Sequence, residues 1–438
     1  MKKGLTFAIK TFGCQMNKSR SEHLVHLLEN EGFSLGDKDS AQILIFNTCA
    51  VREHAVEKAV SIISCLSRRN SSPYPLIVVC GCMSQLYREK LLKRVPAVDI
   101  LVGTHNLENL PELITRRLEE QEKVVSFWEE APFEFREEGY RRTTEISTFL
   151  PISYGCDNFC SYCVVPYTTG RLRSKPQGLI LKELEKIIEE GFKEVILLGQ
   201  NVNAYGKDLA SPSSCSFINL LDTIEDRWGR EKIWIGFLTS HPKDMTRGIV
   251  ERVRESRVLK PYFHFPLQAG SNRVLKRMNR KYTQKQYLEM AAFIREAIPE
   301  AGIGTDLIVG FPGEEERDFE ETLKVVEEVK FEVAYTYLYS PRPGTAAAQL
   351  ADDVPLSSKK ERLQKLNSLL RQLHRQRVQN LVATKTTILI DKKEANWVSG
   401  RTKSNLRVYL RDSSKKLGSF AEVIISHTEG NKLWGELI

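Results

Sequence analysis

The stretch Tyr154-Gly155-Cys156-Asp157-Asn158-Phe159-Cys160-Ser161-Tyr162-Cys163 packs three thiols into eight residues, directly after an apolar run at 149–154 that reads as a strand. A tetrahedral zinc site needs a fourth ligand and usually pairs two short spacings. The nearest outside donors, Cys215 and His241, lie far along the chain in other units. A cubane 4Fe–4S cluster takes one thiolate per iron. Three cysteines therefore leave one iron open to a ligand that is not protein. The chain has nine cysteines, an odd number, which resists full pairing, and reduced cytosolic thiols point to metal or redox work rather than disulfides.

Working outward, five more strand candidates follow at 193–198, 232–238, 262–267, 302–309 and 332–339, with helical spacing between them, as at 179–190 and 284–297. A full barrel of alternating strands and helices needs eight such units. Six predict an open, partial (β/α)6 barrel over residues 142–373, with polar residues at the carboxyl ends of the strands facing the reaction.

Upstream, residues 1–120 repeat one pattern three times, before a linker at 121–141. An apolar run, a cysteine and an amphipathic stretch recur, with runs at 5–11, 41–47 and 76–80 leading to Cys14, Cys49 and Cys82. The cysteines are 35 and 33 residues apart, about one strand–helix–strand unit. Strands joined that way run parallel, so the three thiols should emerge at one sheet edge and form a second three-thiolate set. Gly81 before Cys82 permits a sharp exit from the strand, which favours Cys82 over the neighbouring Cys80. Cys65 and Cys215 lack a strand-end setting and read as packing residues.

Downstream, residues 357–383 read as a basic helix, and short β-like runs at 386–390, 406–410, 421–426 and 432–437 follow, separated by turns such as Ser399-Gly400 and Gly418. Residues 374–438 are expected to form a small antiparallel β-barrel. The net charge is +8, but residues 357–438 carry 17 Lys/Arg against 7 Asp/Glu, a balance of +10 that leaves about −2 for the rest. A concentrated basic terminus suggests a polyanion, because cations that meet phosphates release counterions. Arg401, Lys403, Arg407 and Arg411 are the candidate phosphate contacts, and Trp397 and Trp434 the candidate stacking surfaces. No apolar run approaches the ~18–20 residues of a membrane span, and the segment after the first two lysines is shorter than a signal-peptide core. A cytoplasmic α/β protein is the expectation, acting as a monomer because no exposed apolar seam calls for a partner.

The CxxxCxxC spacing of Cys156, Cys160 and Cys163, with an aromatic before the last cysteine, resembles the radical S-adenosylmethionine superfamily. The resemblance implies that the amino and carboxylate groups of S-adenosylmethionine take the open iron, and that Tyr162 lies against the adenine. It also implies a glycine-rich segment for the methionine amino group, here Gly199-Gln200-Asn201 without the glutamate often found there. Gln268 and Ser271 at the fourth strand and Asp306 inside the fifth complete the implied cofactor pocket. A carboxylate in an apolar strand is costly unless paired, so Asp306 also reads as an internal salt-bridge partner, and Gln268 as a strand-end hydrogen bonder.

The full order, three N-terminal cysteines, radical core and terminal β-barrel, is similar to the methylthiotransferase family, whose barrel is the OB-like RNA-binding TRAM domain. Segments 156–168 and 198–206, Thr239-Ser240-His241-Pro242 and Tyr339-Ser340-Pro341-Arg342-Pro343-Gly344-Thr345 resemble the branch that acts on N(6)-isopentenyladenosine at position 37 of tRNA. Thr169, Leu172 and Lys175 depart from that branch's usual arginine, glutamate and arginine, while Phe265 and Ala269 differ mildly. The resemblance implies two 4Fe–4S clusters, a tRNA anticodon loop as partner, a reductant such as flavodoxin or ferredoxin, and a sulfur donor. Carbon 2 of the adenine is unactivated, which explains the need for a radical. Sister enzymes acting on threonylcarbamoyladenosine or a ribosomal-protein aspartate are the nearest alternatives, and an RNA-binding iron–sulfur redox protein is the non-enzymatic one.

Overall fold

The computed structural model describes residues 4–51, 53–66, 75–129, 135, 139–210, 215–412 and 414–438. The first unit is a six-stranded parallel sheet, ordered Ser34–Leu35, Thr6–Thr11, Ile43–Thr48, Leu76–Gly81, Ile100–Val102 and Val124–Ser126. Successive residues of a strand point to opposite faces. Ile43, Ile45 and Val78 join one apolar layer with Leu24 and Leu28 of helix Gln15–Asn30. Leu44, Phe46 and Val79 join the other, with Ile63 of helix Glu53–Leu66. Burial on both faces is why these strands read as continuous apolar runs. Their crossovers leave Cys14, Cys49 and Cys82 at the carboxyl ends of three neighbouring strands. Strand Val124–Ser126 falls within the stretch expected as a linker, of which residues 130–134 and 136–138 lie outside the described residues.

Six parallel strands follow. Ser147–Pro151, Glu194–Leu198 and Trp234–Leu238 pair as one run, and Tyr262–His264, Gly302–Val309 and Val333–Leu338 as a second. A parallel bridge between Ile235 and Leu259 joins the runs. Helices Gln177–Glu189, Phe217–Trp228, Gln284–Ala297 and Glu316–Val329 pack over them around a core that includes Val195, Ile235, Phe263 and Ile303. This is the open partial barrel, and helix Gln15–Asn30 of the first unit lies against its first strand.

Helix Leu356–Gln379 leads to a closed barrel of five strands: Lys385–Lys393, Val398–Thr402, Arg407–Leu410, Phe420–Glu429 and Lys432–Leu437. Two expectations need correction. Ser399-Gly400 is not a turn but part of strand Val398–Thr402, where a Cβ on Gly400 would lie 2.4 Å from the Leu389 carbonyl oxygen. The barrel is also not wholly antiparallel, since Arg407–Leu410 pairs parallel with Lys432–Leu437. It docks against the amino ends of the core strands. Glu194 and Trp234 each begin a strand, and they meet Arg401 at 2.7 Å and the Phe420 ring with centres 4.9 Å apart. The thiol loop leaves the opposite, carboxyl end. Among the described residues no helix is long and apolar enough to cross a membrane.

Candidate functional site

The loop carrying Cys156, Cys160 and Cys163 is pinned at both ends. The Cys156 N–H donates to Gly170 at 3.1 Å and the Cys163 N–H to Cys160 at 2.9 Å. The Ser161 N–H donates to Met278 at 3.0 Å and its hydroxyl to Arg277 at 2.9 Å. Phe159 stands at φ 46° between the cysteines, a conformation disfavoured for a bulky residue and held here by its surroundings. Asn279 donates to its carbonyl at 2.8 Å, and the Arg171 guanidinium lies 4.9 Å from the centre of its ring.

Cys160 receives donors from two distant segments. Arg280 Nη1 lies 3.3 Å from its Sγ and His241 Nε2 lies 3.9 Å away. The His241 Nδ1 accepts the Lys243 N–H at 3.1 Å. Burial, with Arg280, Lys243 and Lys207 nearby, keeps the ring neutral. The proton therefore sits on Nε2, facing the sulfur. His241 is set by the asparagine-rich segment, because the Asn201 side chain accepts the His241 N–H at 3.1 Å and donates to Asp244 at 2.6 Å. The Ser240 hydroxyl donates to Asn203 at 2.9 Å. Two separate sequence motifs are thus one network whose end point is Cys160.

Burial pushes the Cys156 thiol up and the Cys163 thiol up to about 12, and Cys160 adds to both effects. Such thiols ionise when a cation arrives, so metal uptake should release protons. Among the described residues no three His, Cys, Asp or Glu side chains converge as ligands of one ion. A cubane distributes its thiolates over separate irons and does not require that convergence.

Gln200 Oε1 and Gln268 Oε1 are among the buried polar atoms of the described residues without a hydrogen-bond partner. Orphaned acceptors of this kind fit an exogenous amine donor, and both were expected to meet the cofactor, as was Gly199 beside Gln200. Tyr162 packs partly buried against the core. The two other expected pocket residues have protein partners. Ser271 donates to Asp318 at 2.6 Å, and Asp306 lies 3.3 Å from His264 Nε2.

In the first unit, Cys14 stands just before helix Gln15–Asn30, with Cys49 beside it. A hydrogen bond with Cys49 brings the Cys14 thiol down to about 6 against the opposing effect of burial. The same pairing, with burial, pushes Cys49 up, and burial pushes Cys82 up against the pull of Arg20. Gly13, at φ +108°, lets the chain pass over Cys49, since a Cβ there would lie 2.3 Å from the Cys49 Cβ. Gly81, at φ +92°, would place a Cβ 2.6 Å from the Thr48 carbonyl oxygen, which accounts for the sharp exit before Cys82. Cys80 faces the hydrophobic core with Phe7 and Val78. Cys82 instead packs with Ala50 and Val164, the residue after Cys163. The two thiol sets are therefore neighbours. Cys65 is exposed, so it is not a packing residue, while Cys215 is partly buried.

Of the cations expected to meet RNA, Arg401 pairs with Glu194 at 2.7 Å and Asp391 at 2.9 Å, and Arg407 pairs with Asp391 at 2.7 Å. Lys403 donates to the Arg257 carbonyl at 2.6 Å. These three are engaged within the protein. Arg411 is exposed and lies 5.1 Å from the centre of the Trp434 ring. Trp397, Tyr409 and Trp434 form a continuous row, with ring centres 5.4 and 5.5 Å apart, flanked by Lys392 and Lys432. Arg280, Arg20 and the role of His241 escaped the sequence reading because single cations and histidines carry no spacing signal.

Residues 150–326 match the Radical SAM superfamily, and residues 6–103 match Uncharacterized protein family UPF0004. A tRNA-2-methylthio-N(6)-dimethylallyladenosine synthase from Natranaerobius thermophilus is 40% identical over 441 residues, covering 99% of this chain and 97% of the relative. One of the same description from Symbiobacterium thermophilum is 42% identical, covering 98% and 94%. Among solved structures, the radical S-adenosylmethionine methyltransferase TsrM from Kitasatospora setae superposes with a TM-score of 0.58 at 14% identity, covering 78% of this chain and 75% of that one. The last is a likeness of fold.

Proposed function

The chain belongs to the tRNA-2-methylthio-N(6)-dimethylallyladenosine synthases, radical S-adenosylmethionine enzymes that work with two 4Fe–4S clusters, and from that premise we propose how its own residues divide the labour. Cys156, Cys160 and Cys163 hold the cluster at which S-adenosylmethionine binds, and Cys14, Cys49 and Cys82 hold the auxiliary one. The substrate is N(6)-isopentenyladenosine at position 37 of tRNA, and the product carries methylthio in place of the hydrogen on carbon 2.

When bound, the two clusters supply one-electron cleavage of S-adenosylmethionine and a place to methylate sulfur. The protein supplies position. Phe159 and Asn279 fix the turn between the cysteines. The unpaired oxygens of Gln200 and Gln268 would accept from the cofactor's amine, and Tyr162 would flank its adenine. Asn201 holds His241 with its Nε2–H towards Cys160. The observation that supports the proposal is the apolar cluster shared by Cys82 and Val164, the residue after Cys163, since a reaction using both clusters needs the two trios close together. Arg411, Trp397 and Tyr409 serve the tRNA. A flavodoxin or ferredoxin supplies electrons, a separate donor supplies sulfur, and the enzyme acts as a cytoplasmic monomer. Replacing Cys156, Cys160 or Cys163 with alanine should abolish release of 5′-deoxyadenosine. Retained release would remove the assignment of the first cluster.

A further inference from the structure

Arg280 is 3% exposed, and a guanidinium is charged at any pH that the protein meets. A buried charge needs an anion or a full set of hydrogen bonds. Its hydrogen bonds go to the Pro266 carbonyl at 2.8 Å, the Tyr282 hydroxyl at 3.1 Å and Cys160 Sγ at 3.3 Å. None of these is a carboxylate. Tyr162, Tyr282 and Cys160 are the groups that favour its charge, against the cost of burial. Of these partners, Cys160 is the one the CxxxCxxC spacing assigns to the cluster, and its Sγ lies within hydrogen-bond reach of the buried guanidinium. His241, the other donor to Cys160, is neutral.

We propose that Arg280 is a positioning residue that places a fixed buried positive charge at Cys160 and raises the reduction potential of the cluster bound at Cys156, Cys160 and Cys163. The inference rests on the reading that these three cysteines hold a 4Fe–4S cluster. Reduction adds one electron from an external one-electron donor and makes the thiolate-ligated cluster more negative. A cation within hydrogen-bond reach of a ligating sulfur favours that more negative state, and hydrogen bonds to cluster sulfurs are among the terms that set such potentials. Arg280 thus makes it easier to deliver the electron needed to cleave S-adenosylmethionine. A mere loop brace, gripping Pro266, would govern stability and leave the potential alone.

The test uses full-length protein with Cys14, Cys49 and Cys82 replaced by alanine, reconstituted anaerobically with iron and sulfide and titrated with dithionite under electron paramagnetic resonance. A preparation that binds no cluster refutes the underlying cysteine reading, independently of Arg280. With a cluster present, Arg280→Met should move the midpoint potential to a more negative value, while Arg280→Lys, which keeps the charge, should stay nearer the parent. An unchanged midpoint in Arg280→Met overturns the proposal. Should that variant lose its cluster, the parent labelled with guanidino-15N arginine decides. Pulsed resonance of the reduced cluster should show a 15N coupling that Arg280→Lys removes, and absence of the coupling in the parent overturns the proposal.

Discussion

Cys82 packs against Val164, the residue that follows Cys163, so the carboxyl edge of the first sheet and the thiol loop of the barrel share one apolar contact. The Arg342 guanidinium adds a second tie, donating to the Val51 carbonyl at 3.3 Å, two residues beyond Cys49. A reaction that starts with radical formation at one cluster and ends with sulfur transfer from another needs this proximity, because a radical intermediate that must travel is quenched on the way.

Replacing Cys14, Cys49 and Cys82 together by alanine should halve the iron bound per chain, as one cluster of two is lost. Release of 5′-deoxyadenosine should continue while methylthiolation stops. Iron analysis and nucleoside chromatography on the same sample check both, and unchanged iron would place the auxiliary cluster elsewhere.

Gly13→Ala should damage the auxiliary site alone. A Cβ at φ +108° is strained and would meet Cys49 at 2.3 Å, so the loop must move, at a cost of about 1–3 kcal/mol. Reduced iron with 5′-deoxyadenosine release preserved is the expected result, and normal iron content would show that the loop yields without disturbing Cys49.

The docking of the C-terminal barrel should depend on Glu194, which bridges the buried Lys260 and Arg401. Glu194→Gln leaves those cations without their shared carboxylate and should destabilise the protein by about 3–5 kcal/mol, measured by denaturant unfolding. Burial alone would raise the Glu194 carboxyl, but Lys260 and Arg401 outweigh it and hold the group below its ordinary value. A depressed acid stabilises above its unfolded value and loses that contribution as pH falls through the folded one. The stability gap between parent and variant should therefore be full at neutral pH and close below about pH 4.3. A gap that widened on acidification would contradict the network.

The C-terminal barrel shows what the chain made legible and what it hid. Four of its strands follow from alternating apolar residues, but Val398–Thr402 contains Ser399-Gly400, which by composition reads as a turn. In the fold Gly400 is needed because the Leu389 backbone passes too close for a side chain. The basic excess was visible too, yet charge alone does not reveal its partner. Arg401 meets Glu194 207 residues away, and Lys403 reaches Arg257 across 146. By contrast, core strands such as Glu194–Leu198 and Trp234–Leu238 were readable because most of their residues are buried and apolar. The cysteine triplet was readable because its spacing is local. His241 and Arg280 reach Cys160 only through tertiary folding, so no local pattern announced them.

The tRNA face should accordingly follow Arg411 and Lys432 rather than Arg401. Replacing either of the first two with alanine should reduce the slope of log affinity against log salt by about 1, one phosphate contact each. Arg401→Ala should lower stability instead. Filter binding of tRNA over a salt series distinguishes them, and slopes unchanged in both Arg411→Ala and Lys432→Ala would move the contact surface off this row.

The decisive measurement is mass spectrometry of nucleosides from isopentenylated tRNA, incubated anaerobically with reconstituted protein, S-adenosylmethionine, reductant and sulfide. The predicted result is a new adenosine species in which one methylthio group replaces one hydrogen. Accumulation of 5′-deoxyadenosine without that species, and with methylthio appearing instead on threonylcarbamoyladenosine in parallel reactions, would contradict the substrate assigned here.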